Sequence, residues 1–427
     1  MLTKSTIKDI IISNEDFILQ NIKHIIPRED IDSPESLTKT VIFYGVRRSG
    51  KTFILYDLFL KYRERALYLD FEDERLSGFQ LGDFDLLKSS FLELKPDLVN
   101  RETVFLLDEV QNISGWEKFC RRAVDREKIK VFVSGSASRM MPLEIHTALR
   151  GRAWSVEVLP FSFKEYLGTR NIDVRDQGLR HGTRNIAVKN HFAEYLRWGG
   201  FPEVSLLASE WEKRKLLKEY FSAMFFRDLI ERYAITNISL LESLTDKMFS
   251  SFATKLSLNS FYKQHKDQFP FSKDMLFKYY KNIVQSILVF EVRKFSESAY
   301  KRMRNPAKIY VIDTGLCRRI SSEDTGRLLE NVVFLELKRR GSDVFYFAGK
   351  RECDFIAKSV DNKFTALQVT LELNAQNTER EIEGLIEACG HLTIKEGTIL
   401  TRDEEKELKT GRIKMHIMPV WKWLIDR

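Results

Sequence analysis

A glycine-bounded loop stands between a strand-like run and a helix-like run near the start of this chain. The run TKTVIFY at 38–44 is rich in β-branched and aromatic residues, and the stretch 53–60 repeats apolar residues with helical periodicity. Between them the sequence reads GVRRSGKT, which matches G-x-x-x-x-G-K-[ST]. In that pattern backbone N–H groups surround a phosphate, the lysine reaches the β- and γ-oxygens, and the hydroxyl contacts Mg²⁺. We therefore predict a nucleoside triphosphate site formed by Gly45, Val46, Arg47, Arg48, Ser49, Gly50, Lys51, Thr52 and Phe53.

Two adjacent carboxylates end a second apolar strand. The run TVFLLDE at 103–109 closes with Asp108 and Glu109, and 108 − 51 = 57 residues separate Asp108 from the loop lysine. Asp108 is placed to hold Mg²⁺ together with Thr52, directly or through water, and Glu109 to orient and deprotonate an attacking water. A phosphate loop alone would also fit a kinase, whereas an acid pair favours hydrolysis. We therefore predict Lys51 and Glu109 to be catalytic, with ATP and Mg²⁺ as ligands.

Three further runs predict strands of the same sheet. They are ALYLD at 66–70, KVFVSGS at 130–136 and AWSVEVL at 153–159. Strands that alternate with helical stretches pair in parallel, and ligands bind at the carboxyl ends of such strands. Ser134 or Ser136 would then lie near the γ-phosphate and act as a polar sensor of its presence.

Composition sets the size and class of the protein. The chain has 427 residues, and at roughly 150 residues per domain it should form two or three domains. A hydrophobic fraction of 43% and a charged fraction of 30% exclude global disorder. No apolar run approaches the roughly 18 residues of a membrane span, and the first residues lack the apolar segment of a secretory signal, so we expect no membrane partner and a cytoplasmic protein. Four widely spaced cysteines predict neither a disulfide framework nor a zinc site: Cys120, Cys317, Cys353 and Cys389.

Positive charge is concentrated in one segment. Residues 255–319 contain 14 Lys and Arg and 5 Asp and Glu, which gives 14 − 5 = +9, so the rest of the chain sums to 8 − 9 = −1. Such a segment suits a polyanion, because phosphate contacts supply most non-specific affinity for nucleic acid. A lysine-rich solvated surface would give the same count, and charge alone does not separate the two interpretations.

The same segment has the outline of a winged helix. Ser272 can cap a helix, and two β-rich runs at 288–295 and 308–312 follow it, separated by a basic stretch at 296–306. The helix has an apolar face of Leu276, Tyr280, Ile283 and Ile287 and a polar face of Asp274, Lys278, Lys281 and Gln285. The predicted DNA contacts are Lys278, Lys281, Arg293, Lys294, Lys301, Arg302 and Arg304. Domains of this outline also serve as protein-docking or oligomer contacts, and the sequence leaves both functions open.

The ordered motifs resemble a large family of prokaryotic AAA+-type ATPases with a C-terminal restriction-nuclease-like domain. They are GVRRSGKT, LDEVQNISGW, SGSASR, LRGR, LPFSFKEYL, GGFPE, FRDLIERY and YVIDTGL, in an order that spans about 26–423. The resemblance implies a multidomain α/β protein: an N-terminal helical leader (1–36), a P-loop parallel-sheet AAA+ core (37–170), a helical lid (171–250), a winged helix-turn-helix (251–324) and a PD-(D/E)xK nuclease-like domain (325–427).

The resemblance also implies an arginine finger. Arg152 falls where such ATPases place a guanidinium that neutralises charge on the transferred phosphoryl group, often across a subunit boundary. This catalytic function would require an oligomer, and we expect a homo-oligomer. The alternative is that Arg150 and Arg152 pair with surface carboxylates.

By the same resemblance, residues 325–427 contain a degenerate nuclease site. Glu336 is the helix acid and Asp354 the first strand acid, but Gln368 stands where an acid is common and Thr370 replaces the lysine. A neutral glutamine and a threonine cannot supply the charges that activate water, so a nuclease is not favoured. The strand that contains Gln368 and Thr370 is predicted to run ALQVTLE over 366–372, so Glu372 should lie on the same face with a period of two and could substitute as a ligand.

The sequence therefore favours a Mg²⁺-dependent ATPase that couples ATP turnover to DNA contact. Two other functions stay open. One is a nucleotide-gated scaffold that binds a protein partner and hydrolyses little, and the other is a nuclease gated by ATP.

Overall fold

The structure is a computed structural model of the chain. It describes residues 2–29, 31, 38–136, 140, 145, 147–174, 182–268, 270–296, 298, 305–317 and 324–426. The chain divides into two compact units, Met1–Leu159 and Pro160–Arg427. No helix within the described ranges is long and apolar enough to cross a lipid bilayer.

The first unit alternates strands and helices. Its elements are α1 (Lys4–Asn21), β1 (Thr40–Gly45), α2 (Lys51–Tyr62), β2 (Ala66–Asp70), α3 (Asp83–Leu94), β3 (Thr103–Asp108), α4 (Trp116–Arg126), β4 (Ile129–Ser136) and β5 (Ala153–Glu157). The five strands form one sheet in the order β2-β3-β4-β1-β5, and every neighbouring pair is parallel. The predicted parallel α/β core is therefore confirmed.

The strands of this sheet are buried on both faces. In β3, every residue from Thr103 to Asp108 is buried, as expected for a parallel sheet covered by helices. Helix α1 contributes to the cores on both faces, with Ile7 on the side of Phe105 and Ile18 on the side of Val41. Because it also contacts β2, the edge strand, α1 covers an edge that would otherwise expose unpaired backbone groups. The predicted leader thus contains a helix of this unit's core.

The second unit is mostly helical before residue 251 and contains its strands after that point. Its helices are α5 (Phe163–Gly168), α6 (Gly182–Trp198), α7 (Pro202–Leu206), α8 (Glu210–Ala223), which continues as a π-helical segment (Met224–Glu231), α9 (Ile238–Ser250), α10 (Leu258–His265), α11 (Lys273–Gln285), α12 (Thr314–Cys317), α13 (Thr325–Arg339), α14 (Thr378–Leu392) and α15 (Val420–Ile425). Its strands are β6 (Thr254–Leu256), β7 (Val289–Lys294), β8 (Ala307–Val311), β9 (Asp343–Ala348), β10 (Glu352–Lys358), β11 (Phe364–Val369), β12 (Glu396–Thr401), β13 (Lys406–Thr410) and β14 (Ile413–Pro419).

These strands form one sheet in the order β13-β14-β12-β11-β10-β9-β7-β8-β6. Strand β7 joins the two parts, because it pairs antiparallel with β8 and parallel with β9, where Arg293 is opposite Phe345 and Lys294 opposite Tyr346. Residues predicted to belong to two domains, 251–324 and 325–427, therefore share one hydrogen-bonded sheet.

Three of the ordered motifs meet around one buried carboxylate in this unit. Asp313 accepts hydrogen bonds from the backbone N–H groups of Gly200 (2.6 Å) and Gly315 (2.9 Å). The Gly200 carbonyl in turn accepts a hydrogen bond from Phe161 N–H (2.7 Å). Gly199 has φ +76°, and a Cβ atom there would lie 1.8 Å from Asp313 Oδ1. The motifs at 159–167, 199–203 and 310–316 thus have a packing function here.

Candidate functional site

The glycine-bounded loop connects β1 to α2 at the carboxyl end of the sheet. Gly50 ends it with φ +97°, a left-handed conformation that only glycine adopts without strain. At Gly45 a Cβ atom would lie 2.2 Å from the Val158 carbonyl oxygen, so no side chain fits there. Both glycines of the pattern are therefore required by the backbone itself.

Lys51 is the first residue of α2 and is buried, with 6% of its surface exposed. Its ammonium donates hydrogen bonds to the carbonyl oxygens of Val46 (2.9 Å) and Gly45 (3.2 Å). Arg28 donates hydrogen bonds to the Ser49 carbonyl (2.8 Å) and the Leu159 carbonyl (2.5 Å), and so links the loop to the segment that follows β5. Arg28 belongs to none of the sequence motifs, so its contact with the loop was not predicted.

The loop fits a phosphate group. No side chain caps the N-terminus of α2 at Gly50, so its first N–H groups point towards the loop without a side-chain acceptor. The Ser49 hydroxyl oxygen is buried and has no hydrogen-bond partner among the described residues. A phosphate oxygen at this position would satisfy donors of both kinds.

Asp108 is buried at the end of β3, with 2% of its surface exposed. Its Oδ2 accepts a hydrogen bond from the Tyr68 hydroxyl (3.1 Å). Its Oδ1 accepts from the Ser134 hydroxyl and from the Glu109 N–H (3.1 Å). Ser134, predicted as a phosphate sensor, thus contacts the predicted metal ligand, while Ser136 is buried two residues further along β4.

Burial changes the acidity of the carboxylates at this edge. Burial raises the pKa of Glu109, and the nearby charge of Lys51 opposes that shift. Asp70, at the end of β2, stands opposite Asp108 in the strand register. Burial raises the pKa of Asp70 to about 6, with a further contribution from the charge of Asp108. Asp70 is a third acid at this edge of the sheet, and it belongs to none of the sequence motifs although it ends a predicted strand.

Strand order places the loop and the acids side by side. Strand β4 lies between β1 and β3, so the start of the loop at Gly45 and the carboxylate of Asp108 are two strand spacings apart, about 10 Å. The carboxyl ends of parallel strands are where α/β sheets bind ligands. The loop, Asp108, Glu109 and Ser134 therefore meet at one edge.

Arg152 lies at the opposite edge of the sheet. Its carbonyl accepts a hydrogen bond from the N–H of Thr40, the first residue of β1, whereas Lys51 follows the last. The length of β1 separates these ends by about 16 Å. The Arg152 side chain pairs with Asp125 of α4, with Nε 2.8 Å from Oδ1. Within one chain, Arg152 is therefore not part of the edge that contains the loop.

The sequence matches two domain families and two related proteins. The profile of the AAA domain family matches residues 37–167, and a domain of unknown function, DUF8612, matches residues 189–326. The chain is 34% identical over 443 positions to the uncharacterized protein MJ1544 of Methanocaldococcus jannaschii, covering 99% of this chain and 97% of that protein. The chain belongs to the family of that protein. An uncharacterized Haemophilus influenzae protein is 27% identical over 80% of this chain and 84% of its own length.

Solved structures add little to this assignment. The Orc1 protein of Aeropyrum pernix in complex with DNA is 13% identical, covers 74% of this chain and 92% of its own, and has a TM-score of 0.30. The Hsp104–ADP complex of S. cerevisiae is 13% identical over 78% of this chain and 42% of its own, with a TM-score of 0.29. Scores this low do not establish a shared fold. The P-loop AAA domain is confirmed instead by the sequence profile over residues 37–167 and by the parallel sheet. Neither matching profile covers residues 327–427, and the nuclease-like domain stays a prediction.

Within the domain of unknown function, α11 exposes a basic face. Ser272 caps the helix as predicted, its hydroxyl accepting from Met275 N–H (3.1 Å). The predicted apolar residues Leu276, Ile283 and Ile287 are buried, and Tyr280 is half-buried. The exposed residues are Lys273, Asp274, Phe277, Lys278, Lys281 and Gln285. Phe277 is 47% exposed in the middle of this face, which the sequence pattern had not singled out.

Other predicted DNA contacts lie differently. Arg293 is exposed but pairs with Glu291 on its own strand (3.0 Å), and Lys294 is half-buried where β7 pairs with β9. Lys301, Arg302 and Arg304 lie outside the described residues. Lys255 and Lys308, counted in the basic segment, are held by carboxylates of β10. The accessible positive charge of the segment is thus smaller than +9.

The predicted nuclease residues do not gather as one group. Asp354 and Gln368 are neighbours, because Gln368 Oε1 accepts from the Asp354 N–H (3.1 Å). Glu336 instead pairs with Arg340 (2.8 Å). The Thr370 hydroxyl donates to the Glu372 carbonyl (3.1 Å), and β11 ends at Val369, so Glu372 lies beyond the strand and the expectation that it shares a face with Gln368 is wrong.

The helix acid beside Asp354 is Glu330 and not Glu336. Side chains six residues apart on a helix point about 120° away from each other, so only one of the two can face β10. The Lys308 ammonium lies 2.9 Å from Asp354, 3.1 Å from Glu330 and 2.9 Å from Glu352. Burial alone would lower the pKa of Lys308, but the charge of Asp354 and its neighbours raises it well above the ordinary value. Among the described residues, no three His, Cys, Asp or Glu side chains are arranged to hold a metal ion.

Proposed function

We propose that this protein is a Mg²⁺-dependent AAA+-type ATPase that couples ATP hydrolysis to DNA contact. One observation carries the proposal: a single edge of the parallel sheet holds the Gly45–Thr52 loop, the buried Asp108 and Glu109. These are the groups that grip a triphosphate, hold its metal ion and activate water.

Each group has a task in this proposal. Backbone N–H groups of the loop and the Lys51 ammonium bind the phosphates, which places the γ-phosphate near the end of β3. Thr52 and Asp108 would hold Mg²⁺, which supplies neutralisation of the charge on the β- and γ-oxygens. Tyr68 and Ser134 fix the orientation of the Asp108 carboxylate. Glu109 accepts the proton of the attacking water.

The proposed DNA contact is supported by the order of the elements from α9 to β8 and by the exposed lysines of α11. Helix α9, strand β6, helices α10 and α11, and strands β7 and β8 follow one another, and β8 lies between β6 and β7 in an antiparallel arrangement. That succession is typical of winged helices, whose exposed helix enters the major groove. Lys278 and Lys281 on the exposed face of α11 would contact phosphates.

Measured ATP turnover tests the proposal. The wild type, Glu109→Gln and the control Glu64→Gln, at an exposed glutamate of the same domain, are assayed with and without duplex DNA. We expect turnover that rises with DNA, is lost in Glu109→Gln and is retained in Glu64→Gln. Absence of turnover in the wild type would refute hydrolysis, equal turnover in wild type and Glu109→Gln would refute the function of Glu109, and turnover that DNA does not change would refute the coupling.

A nucleotide-gated protein-binding scaffold is the second candidate. It is favoured by the ion pairs of Arg293, Lys255 and Lys308, which leave less charge for a polyanion. It predicts that ATP binds tightly without turnover and that duplex DNA does not bind even at low salt, where phosphate contacts are strongest.

A further inference from the structure

The Glu109 side chain is held by its neighbour Gln111. Gln111 lies in a short 3₁₀ turn, Val110–Asn112, that directly follows β3 and Glu109. Its amide Nε2 donates a hydrogen bond to Glu109 Oε2. This contact engages one of the two carboxylate oxygens, and Oε1 is the oxygen that Gln111 does not contact.

The Glu109 backbone is anchored at the same time. Its φ of +49° lies in the left-handed region, which is strained for a residue with a side chain. Its N–H donates to Asp108 Oδ1 (3.1 Å) and to the Ser134 hydroxyl (3.4 Å). The backbone of Glu109 is therefore fixed to the ends of β3 and β4, while Gln111 fixes the carboxylate.

Gln111 itself packs against β4. A Cβ atom at Gly135 would lie 2.2 Å from Gln111 Oε1, so the amide has room only because residue 135 is glycine. Gly135 lies between Ser134 and Ser136 on the strand predicted to sense the phosphate. Gln111 Oε1 is buried and has no hydrogen-bond partner among the described residues, so packing against β4 determines the position of the amide.

We propose that Gln111 is a positioning residue, which orients the Glu109 carboxylate and links it to the end of β4. The inference rests on the proposed ATPase function. In the hydrolysis step the water oxygen forms a bond to the γ-phosphorus, the bond from phosphorus to the ADP oxygen breaks, and the water proton passes to Glu109 Oε1. Without Gln111 the carboxylate samples several staggered rotamers, and few of them face the water.

Two substitutions at Gln111 separate orientation from folding. Gln111→Ala removes the amide, and Gln111→Glu keeps the shape but replaces the donor with a carboxylate that repels Glu109. We expect kcat to fall about 10- to 100-fold in both, while KM and the affinity for a non-hydrolysable ATP analogue stay within about twofold of wild type. Asn112→Ala, in the same turn, is the matched control and should keep the wild-type kcat, since the Asn112 side-chain amide donates to the Phe71 carbonyl (3.4 Å) and the backbone hydrogen bond from Asn112 N–H to the Glu109 carbonyl (3.1 Å) does not depend on the side chain.

A variant of Gly135, on the strand against which Gln111 packs, tests the link to β4. Gly135→Ala would displace the Gln111 amide, so its effect on kcat and that of Gln111→Ala should not add in the double variant. Should Gly135→Ala fail to fold, because its Cβ also meets Met140, the Gln111 pair still decides the orientation. Gln111→Ala with wild-type kcat, or with a changed KM alone, overturns the inference while leaving the ATPase intact. A wild type without turnover overturns both.

Discussion

The Lys308 ammonium on β8 lies 2.9 Å from the Asp354 carboxylate on β10, although 46 residues separate them in sequence. The side chain of Lys308 is only 5% exposed, and Glu330 and Glu352 also contact it. The lysine thus joins the domain of unknown function to the C-terminal strands. It also stands among acids where the sequence suggested a degenerate site without a lysine.

Replacing Lys308 should destabilise the second unit. Lys308→Met removes the cation that pairs with Asp354 and Glu330, while Glu352 keeps Lys255. Removing one partner of a buried pair typically costs about 3–5 kcal/mol. Chemical denaturation should show this loss, whereas Lys409→Met at an exposed lysine of β13 should change the unfolding free energy by less than about 0.5 kcal/mol. Equal midpoints for the two variants would contradict the importance of the cluster.

Gly199 should not tolerate a side chain. Gly199→Ala combines a positive φ with a Cβ 1.8 Å from Asp313 Oδ1, so it should break the contact that joins the three motifs and prevent stable folding of the second unit. Gly411→Ala is the matched control, because Gly411 has φ +59° and nothing within 4 Å of its Cβ. The control isolates backbone strain, about 1–2 kcal/mol. Equal melting temperatures for Gly199→Ala and Gly411→Ala would argue against the close contact at Gly199.

Tyr68→Phe should lower the affinity of the site for Mg²⁺. The substitution removes the hydroxyl that donates to Asp108 Oδ2 and leaves the packing of the ring in place. Loss of such a supporting hydrogen bond typically lowers metal affinity or activity about 10-fold or more. A Mg²⁺ titration of ATP turnover should therefore shift to higher concentration, while Tyr62→Phe in the same domain should leave it unchanged. An unshifted titration would mean that Tyr68 does not orient the ligand.

Asp313 should make the second unit less stable as pH rises. Burial raises its pKa from 3.8 to about 7, opposed by the N–H groups of Gly200 and Gly315. The folded state therefore binds more protons than the unfolded state between about pH 4 and 7, and the contribution of Asp313 to stability, present below pH 4, is lost across that window. Since Asp313→Asn cannot titrate, the stability advantage of wild type over this variant should shrink between pH 4.5 and 7.5. Denaturation midpoints measured across that range test it, and a constant gap would oppose the assignment.

Exposed lysines of α11 should contribute to DNA affinity. Lys278→Glu with Lys281→Glu should weaken duplex binding and flatten its salt dependence, because two phosphate contacts disappear. Lys409→Glu changes the charge on another surface of the second unit and should bind as wild type. Binding isotherms at several salt concentrations make the comparison, and equal losses in all variants would indicate a non-specific charge effect.

Local patterns predicted the first sheet well. The run 66–70 coincides with β2, and 38–44 differs from β1 (Thr40–Gly45) by only one or two residues at each end. Parallel strands buried on both faces are continuous apolar runs, which stand out in a sequence. The positions of Asp108 and Lys51 followed from the ends of those strands, and their chemical functions stay predictions.

Contacts between distant residues could not be predicted. Nothing near Lys308 in sequence indicates Asp354, and nothing near Arg28 indicates Ser49, because each pair is defined by tertiary packing. The end of β11 could have been predicted from the sequence, because the asparagines at 374 and 377 favour a turn over a strand. In the structure the Asn374 side chain accepts hydrogen bonds from the N–H groups of Gln376 and Asn377. The prediction for Glu372 was wrong because β11 ends at Val369, before the turn formed by Asn374.

The pairing of β7 with both β8 and β9 connects α11, which packs against β7, to the far strand β13 through one hydrogen-bonded sheet. Eight interstrand spacings make this sheet about 40 Å wide. A ligand that displaces α11 therefore has a continuous backbone connection to β13, and a spectroscopic label on β13 tests whether the displacement reaches the far end of the sheet.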